Sequence, residues 1–288
     1  MIVMTGKERE RLRAAALATG ACAAGFADPY LPAAVDEDFA TWIKAGHNAT
    51  MRWLAGHVPL RADPQNVLPG VMTVISLAFP YLPAEQRDPS LPYLPLYAYG
   101  RDYHKALRTL LRPFCSHIEQ EYGARTRVCI DSAPVHERAF ALRAGIGRRG
   151  LNGCVITPRY GSFVFLAEVF TTLSIEPDEP SFGECLQCGA CLKACPAGAL
   201  NGNGSMDAAR CINYLTIEHT GPLTLAQEKL LRDTDTLVGC DRCQSVCPMN
   251  RDVLPTEIPD FRPRPEVLCA RSLREAVTPG SPLRRALK

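Results

Sequence analysis

Thirteen cysteines are present, and eight of them lie between residues 185 and 247 with the spacing of iron–sulfur ligands. Residues 185–196 follow the C-x2-C-x2-C-x3-C-P pattern of bacterial ferredoxins, and residues 240–248 form a shorter C-x2-C-x3-C-P run. The shorter run lacks one thiolate, which Cys211 can supply. Two [4Fe–4S] clusters are therefore predicted, with the ligands Cys185, Cys188, Cys191, Cys195, Cys211, Cys240, Cys243 and Cys247.

The eight thiols divide into two sets by analogy with two-cluster ferredoxins, in which the last cysteine of each run crosses to the other cluster. The expected sets are Cys185, Cys188, Cys191 and Cys247 for cluster one, and Cys195, Cys211, Cys240 and Cys243 for cluster two. A pair of four-cysteine zinc sites is the alternative, because zinc also binds paired C-x2-C units. Zinc gives no reason for the two C-x3-C-P endings, so clusters are favoured.

The composition sets limits on the class of protein. Hydrophobic residues make up 47% of the 288 residues and charged residues 22%, which is typical of a folded globular chain. A formal net charge of +2 gives no bulk attraction to nucleic acid or membrane, so local patches would have to recognise either. The apolar residues 71–79 predict a buried strand, and residues 1–22 predict an amphipathic helix rather than an export signal. We expect a cytoplasmic protein without a membrane anchor.

Helices and strands alternate before the cysteine-rich segment. The expected elements are helices over residues 102–123 and 134–145 and strands over residues 125–131, 155–157 and 162–171. Prolines at positions 177 and 180 then form a linker, after which the cysteine-rich segment begins. The expected units are a catalytic α/β domain over residues 1–175, a ferredoxin-like double-cluster domain over residues 176–255, and a proline-rich basic tail over residues 256–288.

Three further patterns in the first unit could do chemistry. Residues 145–150 match the dinucleotide motif G-x-G-x-x-G, but they follow a helix, whereas a phosphate-binding loop must open one. Asp102 and His104 match part of a cobalt-ligand loop of corrinoid proteins, but the glycine of that loop is missing, so a helix cap is favoured. Asp131 ends a predicted strand, where active sites of open α/β sheets commonly lie, although Asp131 or Ser132 could instead cap the next helix.

Most of the chain, from about residue 50 to 250, resembles the epoxyqueuosine reductases, cobalamin-dependent iron–sulfur enzymes of tRNA modification. Many ferredoxin-like proteins share the cysteine motifs, so the specific resemblance comes from their combination with other motifs. These are R-A-D-P at 61–64, L-P-G at 68–70, G-R-D-Y-H at 100–104, D-S-A-P at 131–134, A-G-I-G at 144–147, Y-G-S at 160–162 and C-I-N-Y-L-T at 211–216.

The resemblance implies a nitroreductase-like α/β (α+β) domain that holds a base-off cobalamin beside the ferredoxin-like domain. The implied reaction removes the epoxide oxygen of epoxyqueuosine in tRNA to give queuosine. Electrons would pass through both clusters to cobalamin, and Asp131 would protonate the leaving oxygen, with burial against the corrin keeping that carboxyl protonated. Positions that resemble the family's cobalamin contacts are Arg61, Asp131, Val155, Ser162, Leu166 and Asn213.

The resemblance also implies partners. We expect tRNA, through its anticodon stem-loop, as the substrate, a reduced flavodoxin or ferredoxin as the electron donor, and a monomeric protein. A short form is expected, without the C-terminal helical-repeat domain that many members carry. Leu151 replaces an expected lysine and Tyr97 a common arginine, and each change removes a phosphate contact. The remaining candidates for an RNA surface, any of which could be ordinary solvated residues, are Arg101, Lys105, Arg108, Arg148, Arg149, Arg262 and Arg264.

Two other functions stay open from the sequence. A corrinoid reductase of a small molecule, similar to the reductive dehalogenases, would keep both cofactors and change the substrate. A two-cluster electron carrier would use the first unit only to dock partners. Bound cobalamin separates the carrier from the enzymes, and deoxygenation of an epoxyqueuosine stem-loop separates the two enzymes.

Overall fold

An antiparallel four-stranded sheet in the order β1-β2-β6-β3 lies at the centre of the first unit. This computed structural model describes residues 3–180 and 183–269. Its strands are β1 (Ala23–Ala27), β2 (Thr73–Pro80), β3 (Thr126–Cys129), β4 (Arg148–Arg149), β5 (Val155–Ile156) and β6 (Val164–Thr171). Every residue of β2 is buried, as expected for a strand with neighbours on both edges and cover on both faces.

Six helices precede the cysteine-rich segment and five shorter ones lie within and after it, counted over the described residues. The first group is α1 (Gly6–Leu17), α2 (Ala33–Lys44), α3 (Trp53–Gly56), α4 (Val58–Ala62), α5 (Tyr103–Tyr122) and α6 (Glu137–Arg143). The second group is α7 (Ala190–Ala194), α8 (Ile212–Ile217), α9 (Leu225–Asp233), α10 (Arg242–Ser245) and α11 (Pro265–Leu268). None of the described helices is long and apolar enough to cross a membrane.

The long helix α5 matches its predicted bounds because both ends carry local signals. The side chain of Asp102 accepts a hydrogen bond from the backbone N–H of His104 at 2.9 Å, which caps the helix. Gly123 follows the last turn with a φ of 61°, a left-handed conformation that glycine adopts without steric cost. One face of the helix, with Leu107, Leu111 and Ile118 fully buried, packs on the main core of the sheet.

The two units are joined by an ordered connection. Asp178 accepts hydrogen bonds from Arg13 at 2.8 Å and from the backbone N–H of Phe26 at 2.8 Å, and it also binds Arg9. These contacts hold the connection against α1 and β1. The segment around the prolines at positions 177 and 180 is therefore packed against the first unit and is not a loose linker.

The segment after the last cysteine returns to the first unit. The backbone N–H of Thr256 donates to the carbonyl of Leu82 at 2.7 Å, and the Ile258 and Phe261 side chains are buried in the core around the sheet. The Phe261 ring lies edge-on to Phe165 of β6 with centroids 5.1 Å apart. Residues 256–269 of the predicted tail therefore complete this core, and residues 270–288 lie outside the described part of the chain.

The predicted mixed α/β fold with a ferredoxin-like unit is confirmed, and so are the expected strands and the long helix. The sheet, however, is antiparallel in all its strand pairs. The argument that active sites lie at the carboxyl edge of open parallel sheets therefore does not apply to Asp131, whose environment must be described directly. The three predicted domain boundaries stay predictions.

Candidate active site and cluster cavities

Asp131 lies just after β3 with a backbone φ of +54°, a left-handed conformation that is uncommon outside glycine and concentrated at functional sites. Its carboxylate accepts a hydrogen bond from the Tyr103 hydroxyl at 2.9 Å and contacts His104 Nε2 at 3.2 Å. The side chain keeps 61% of its surface exposed. The alternative that Asp131 or Ser132 caps the next helix is wrong, because α6 begins at Glu137 and neither side chain reaches its N–H groups.

A second carboxylate lies behind His104. The other ring nitrogen, Nδ1, is 3.0 Å from Asp102 Oδ1, so one imidazole connects Asp102 to Asp131. Burial alone would raise the pKa of Asp102, but the hydrogen bonds and charge of His104 lower it below its usual value. Tyr103 stacks on Phe165 with ring planes 5° apart, and burial followed by the Asp131 carboxylate raises the pKa of the Tyr103 hydroxyl. These residues form a packed wall of donors on one side of Asp131.

Two buried carboxyl groups lie behind Asp131. Glu137 accepts a hydrogen bond from the backbone N–H of Asp131, and burial, followed by the Asp131 carboxylate, raises the pKa of Glu137 to about 8. Glu168 is fully buried on β6 opposite Cys129. One of its oxygens accepts a hydrogen bond from Ser76 at 3.1 Å, and the other has no partner. Burial and then Glu137 raise the pKa of Glu168 well above its usual value. Burial therefore shifts the pKa of both groups toward the protonated acid.

Two buried nitrogens near this site have no hydrogen-bond partner. They are His57 Nδ1 and Arg61 Nε, which belong to neighbouring turns at α3 and α4. Arg61 uses another nitrogen to donate to the carbonyl of Val135 at 2.7 Å, and its guanidinium lies over the Phe39 ring. Burial lowers the pKa of Arg61, while Glu137 and Asp131 act in the opposite direction. A buried N–H without an acceptor is costly, which indicates that a ligand with hydrogen-bonding groups completes this wall.

Tyr97, which replaces a common arginine, connects the Asp131 site to the cysteine-rich unit. Its hydroxyl donates to Asn213 Oδ1 at 3.2 Å. Burial raises the pKa of Tyr97, with smaller contributions from Asp131 on one side and from Cys240 and Cys211 on the other. Tyr97 is therefore near enough to the Asp131 carboxylate and to two thiols expected to hold cluster two to be influenced by each of them.

The remaining predicted cobalamin contacts have different surroundings. Val155 and Leu166 belong to one apolar cluster that covers the sheet beside α6. Ser162 instead joins the two units, because its hydroxyl donates to Gln244 at 2.9 Å and accepts from Asn250 at 2.8 Å. The Ser162 hydroxyl is therefore occupied by protein groups, whereas the Asn213 amide and the Arg61 Nε keep unused hydrogen-bonding capacity.

Four cysteines surround one small cavity in the cysteine-rich unit. Gly150, Leu151, Asn152 and Ile156 of the first unit line its other side. Asn152 also donates from its amide to the backbone carbonyl of Cys243 at 3.2 Å, which ties this wall to the second set of thiols. The four cysteines of the cavity are the set expected for cluster one: Cys185, Cys188, Cys191 and Cys247.

The second set of thiols also lies together. Burial raises the pKa of Cys211, and the thiols of Cys240 and Cys195 raise it further. Burial likewise raises the pKa of Cys243, with contributions that include Cys240 and Cys211. Within residues 3–180 and 183–269, no three His, Cys, Asp or Glu side chains are grouped tightly enough for a single metal ion. The mutual influence of these thiols still places the four expected for cluster two near one another.

The local motif interpretations can now be checked. Gly145 to Gly150 follow α6 and lead into β4 instead of opening a helix, so the rejection of a dinucleotide loop is confirmed. Asp102 caps α5, as favoured. Sequence reasoning missed Tyr103, Glu137 and Glu168, which are brought to Asp131 by α5, α6 and β6. Tyr103 lies inside the quoted G-R-D-Y-H motif, whereas no local signal singles out the two glutamates.

Comparisons with known proteins agree with this geometry. A family described as "4Fe-4S double cluster binding domain" matches residues 184–250, and one described as "Epoxyqueuosine reductase QueG, DUF1730" matches residues 61–132. An epoxyqueuosine reductase of Vibrio cholerae is 40% identical over 230 residues, which are 77% of this chain and 62% of that protein. An epoxyqueuosine reductase of Pseudomonas aeruginosa is 40% identical over 262 residues, which are 85% of this chain and 72% of that protein. The chain thus spans between 62% and 72% of these relatives.

Solved structures extend the similarity to most of the fold. An epoxyqueuosine reductase with an epoxyqueuosine-modified tRNA-Tyr stem loop is 30% identical, with a TM-score of 0.78 over 91% of this chain and 70% of that one. The epoxyqueuosine reductase of Bacillus subtilis was solved with its catalytic aspartate loop swung out of the active site. It is 30% identical, with a TM-score of 0.76 over 90% of this chain and 70% of that one.

Proposed function

The chain belongs to the epoxyqueuosine reductase family, and from that premise we propose that it removes the epoxide oxygen of epoxyqueuosine in tRNA to give queuosine. One observation carries the proposal: Asp131 accepts a hydrogen bond from Tyr103 and contacts His104, and the nearby Tyr97 hydroxyl is influenced both by Asp131 and by two thiols of the second set. Loss of the oxygen as water consumes two electrons and two protons. A site for this reaction needs an electron path and a proton donor at one place.

Two [4Fe–4S] clusters and a cobalamin are the cofactors. The unpartnered nitrogens of His57 and Arg61 fit a corrin ring, whose edge carries amide groups that can accept and donate hydrogen bonds. When bound, cobalamin supplies the reducing power that breaks the carbon–oxygen bond. The residues proposed to contact it are Arg61, Asp131, Val155, Ser162, Leu166 and Asn213.

Asp131 is the proposed general acid for the leaving oxygen. Its exposed carboxyl faces away from the sheet, while Tyr103 and His104 hold it from behind. After Asp131 gives up its proton, these two donors stabilise the carboxylate, and His104 is placed to return a proton because its other nitrogen contacts Asp102. The aspartate loop that swings out in the Bacillus subtilis relative supports a mobile acid at this point.

The test is deoxygenation of an epoxyqueuosine-containing anticodon stem-loop by the reduced, cofactor-loaded protein, with the nucleosides identified by mass spectrometry. We expect queuosine from the natural protein and at least a 100-fold lower yield from D131N, because loss of a general acid typically costs about 10²–10⁴-fold. Iron and corrin content of D131N should stay unchanged.

Asp252 provides a matched control, since it is also an exposed aspartate with a left-handed φ, here 55°. Asparagine is tolerated in that conformation, so D131N and D252N both place asparagine in a left-handed backbone conformation at similar steric cost. We expect D252N to turn over normally. Full turnover by D131N would remove the assignment of Asp131, and no conversion by the natural protein with both cofactors loaded would remove the proposed substrate.

The finer parts of the proposal concern partners and location. We propose that a reduced flavodoxin or ferredoxin supplies the electrons and that the protein acts as a cytoplasmic monomer, where its tRNA substrate is found. A single sedimenting species of about 31.5 kDa would support the monomer. The stem-loop bound by the structural relative supports tRNA as the substrate class, and the small-molecule alternative is not favoured because the comparisons point to epoxyqueuosine reductases.

A further inference from the structure

An open groove of about 440 Å³ lies beside the cluster-one cavity and shares no lining residue with the Asp131 site. Cys185 lines both this groove and the cluster-one cavity, so one proposed ligand forms a wall that the two spaces share. Among the described residues that line the groove, none belongs to the Asp131 site or to the set expected for cluster two. The groove therefore gives access to cluster one alone.

Two arginines and one acidic residue, Glu184, line this groove, so its formal charge is positive by one. Arg148 donates to the backbone carbonyl of Glu184 at 3.2 Å, and Arg149 donates to that of Gly204 at 3.0 Å. Within the described part of the chain, neither guanidinium forms an ion pair with a carboxylate. Both positive charges can therefore attract an acidic partner from solution. Arg101 and Lys105, two other candidates for RNA contact, are instead paired with Asp260 and Asp102.

The loop on the other wall carries the most accessible part of cluster one. Cys188 is the one exposed cysteine of the eight proposed ligands, and Leu186 two residues earlier keeps 61% of its surface exposed. The four thiols expected for cluster two are all partly buried. Because electron transfer slows steeply with distance, a protein donor must approach cluster one at this loop.

We propose that this groove, lined by Arg148 and Arg149 and by Glu184, Cys185 and Gln187, forms with the adjoining exposed Leu186 and Cys188 the docking surface for an acidic one-electron carrier protein. A positive rim around a small apolar contact suits a transient redox encounter, which buries little area and relies on charge for its association rate. In each encounter the carrier loses one electron and cluster one gains it, with no bond formed or broken. Two encounters supply the two electrons of the proposed reaction.

An RNA is the other polyanion that two arginines could attract. The groove is the less suitable place for it, because an RNA substrate has no need to contact a cluster ligand, whereas an electron donor must. The docking proposal rests on the proposed function only for what the electrons reduce after they reach cluster one. Reduction of cluster one can be measured without any tRNA, so failure of the two proposals is distinguishable.

The experiment measures anaerobic reduction of the cluster-loaded protein by flavodoxin hydroquinone in a stopped-flow spectrometer, with flavodoxin affinity measured by calorimetry. We expect R148E/R149E to lower the second-order rate constant by about 10–100-fold at low ionic strength, with the deficit shrinking at 0.5 M salt, since such steering is screened. Reduction by dithionite, a small reagent that needs no docking surface, should be unchanged.

R11E/R232E is the matched control, because it makes the same change in net charge at two exposed arginines on α1 and α9. L186D, at an exposed side chain with no packing role, is the second docking variant and decides the question if R148E/R149E loses iron. Flavodoxin reducing R148E/R149E or L186D as fast as R11E/R232E would overturn the proposal. So would weaker stem-loop binding by R148E/R149E with unchanged flavodoxin kinetics, since the groove would then be an RNA surface.

Discussion

Replacing Glu137 with glutamine should stabilise the protein, and the gain should grow with pH. The pKa of Glu137 is raised from 4.5 to about 8, chiefly by burial and then by Asp131. Between these two values the folded state holds a proton that the unfolded state releases, so folding becomes less favourable as pH rises through that window. Glutamine resembles the protonated acid and keeps an oxygen that can accept the hydrogen bond from the Asp131 N–H.

The stability gained by E137Q can be calculated from the raised pKa of Glu137. Each pH unit inside the window costs the natural protein about 1.4 kcal/mol relative to a residue that cannot ionise, or about 4 kcal/mol between pH 5 and pH 8. Glu137 keeps part of its surface in water, and solvent screening halves this to about 2 kcal/mol. For a chain of this size, the difference corresponds to about 4–8 °C in Tm.

The assay is anaerobic thermal unfolding of E137Q and the natural protein at pH 5, 6, 7 and 8 with one heating rate. The Tm values should nearly coincide at pH 5 and separate by about 4–8 °C at pH 8. E121Q, at an exposed position of α5, should show no such divergence. A separation that stays constant with pH, or E137Q melting first at pH 8, would refute the claim that Glu137 is a protonated acid in the folded protein.

Three more outcomes follow from named contacts. C211S should lower iron from about eight to about four atoms per chain by removing a ligand of cluster two, while C22S, outside both motifs, should keep about eight; iron analysis checks both. F261A should lower the free energy of unfolding by about 3–5 kcal/mol, seen as a shifted denaturant midpoint, because the ring is buried against the sheet. Y103F should slow stem-loop deoxygenation about tenfold by removing one hydrogen bond to Asp131, with unchanged iron and corrin content.

The sequence predicted what is encoded locally. The α5 helix has a capping aspartate and a terminal glycine at its two ends, and β2 is mainly apolar with only Thr73 and Ser76 polar, so both were predicted near their true bounds. The cluster ligands were predicted from the thiolate spacing, which reflects cubane geometry. Their division into two sets followed from analogy and agrees with the thiols that surround the cluster-one cavity.

Other features depend on contacts between distant parts of the chain. Glu168 reads as an ordinary polar residue in a strand, and only the pairing of β6 with β3 brings it behind Asp131. Residues after 255 read as a tail because prolines and basic side chains are typical of exposed segments. The burial of Ile258 and Phe261 depends on a surface that the sheet and α5 create together, which no local pattern encodes.

The return of residues 256–268 to the first unit has a consequence for biogenesis. On the ribosome, the sheet and α5 emerge early, but their core lacks Ile258 and Phe261 until the whole cysteine-rich segment has been synthesised. The first unit therefore cannot reach its final packing ahead of the second, unlike domains that fold one after another from the N-terminus. Maturation of the iron centres and closure of this core are therefore coupled, so a chain starved of iron should remain susceptible to proteases even in the half that carries none of the proposed cluster ligands.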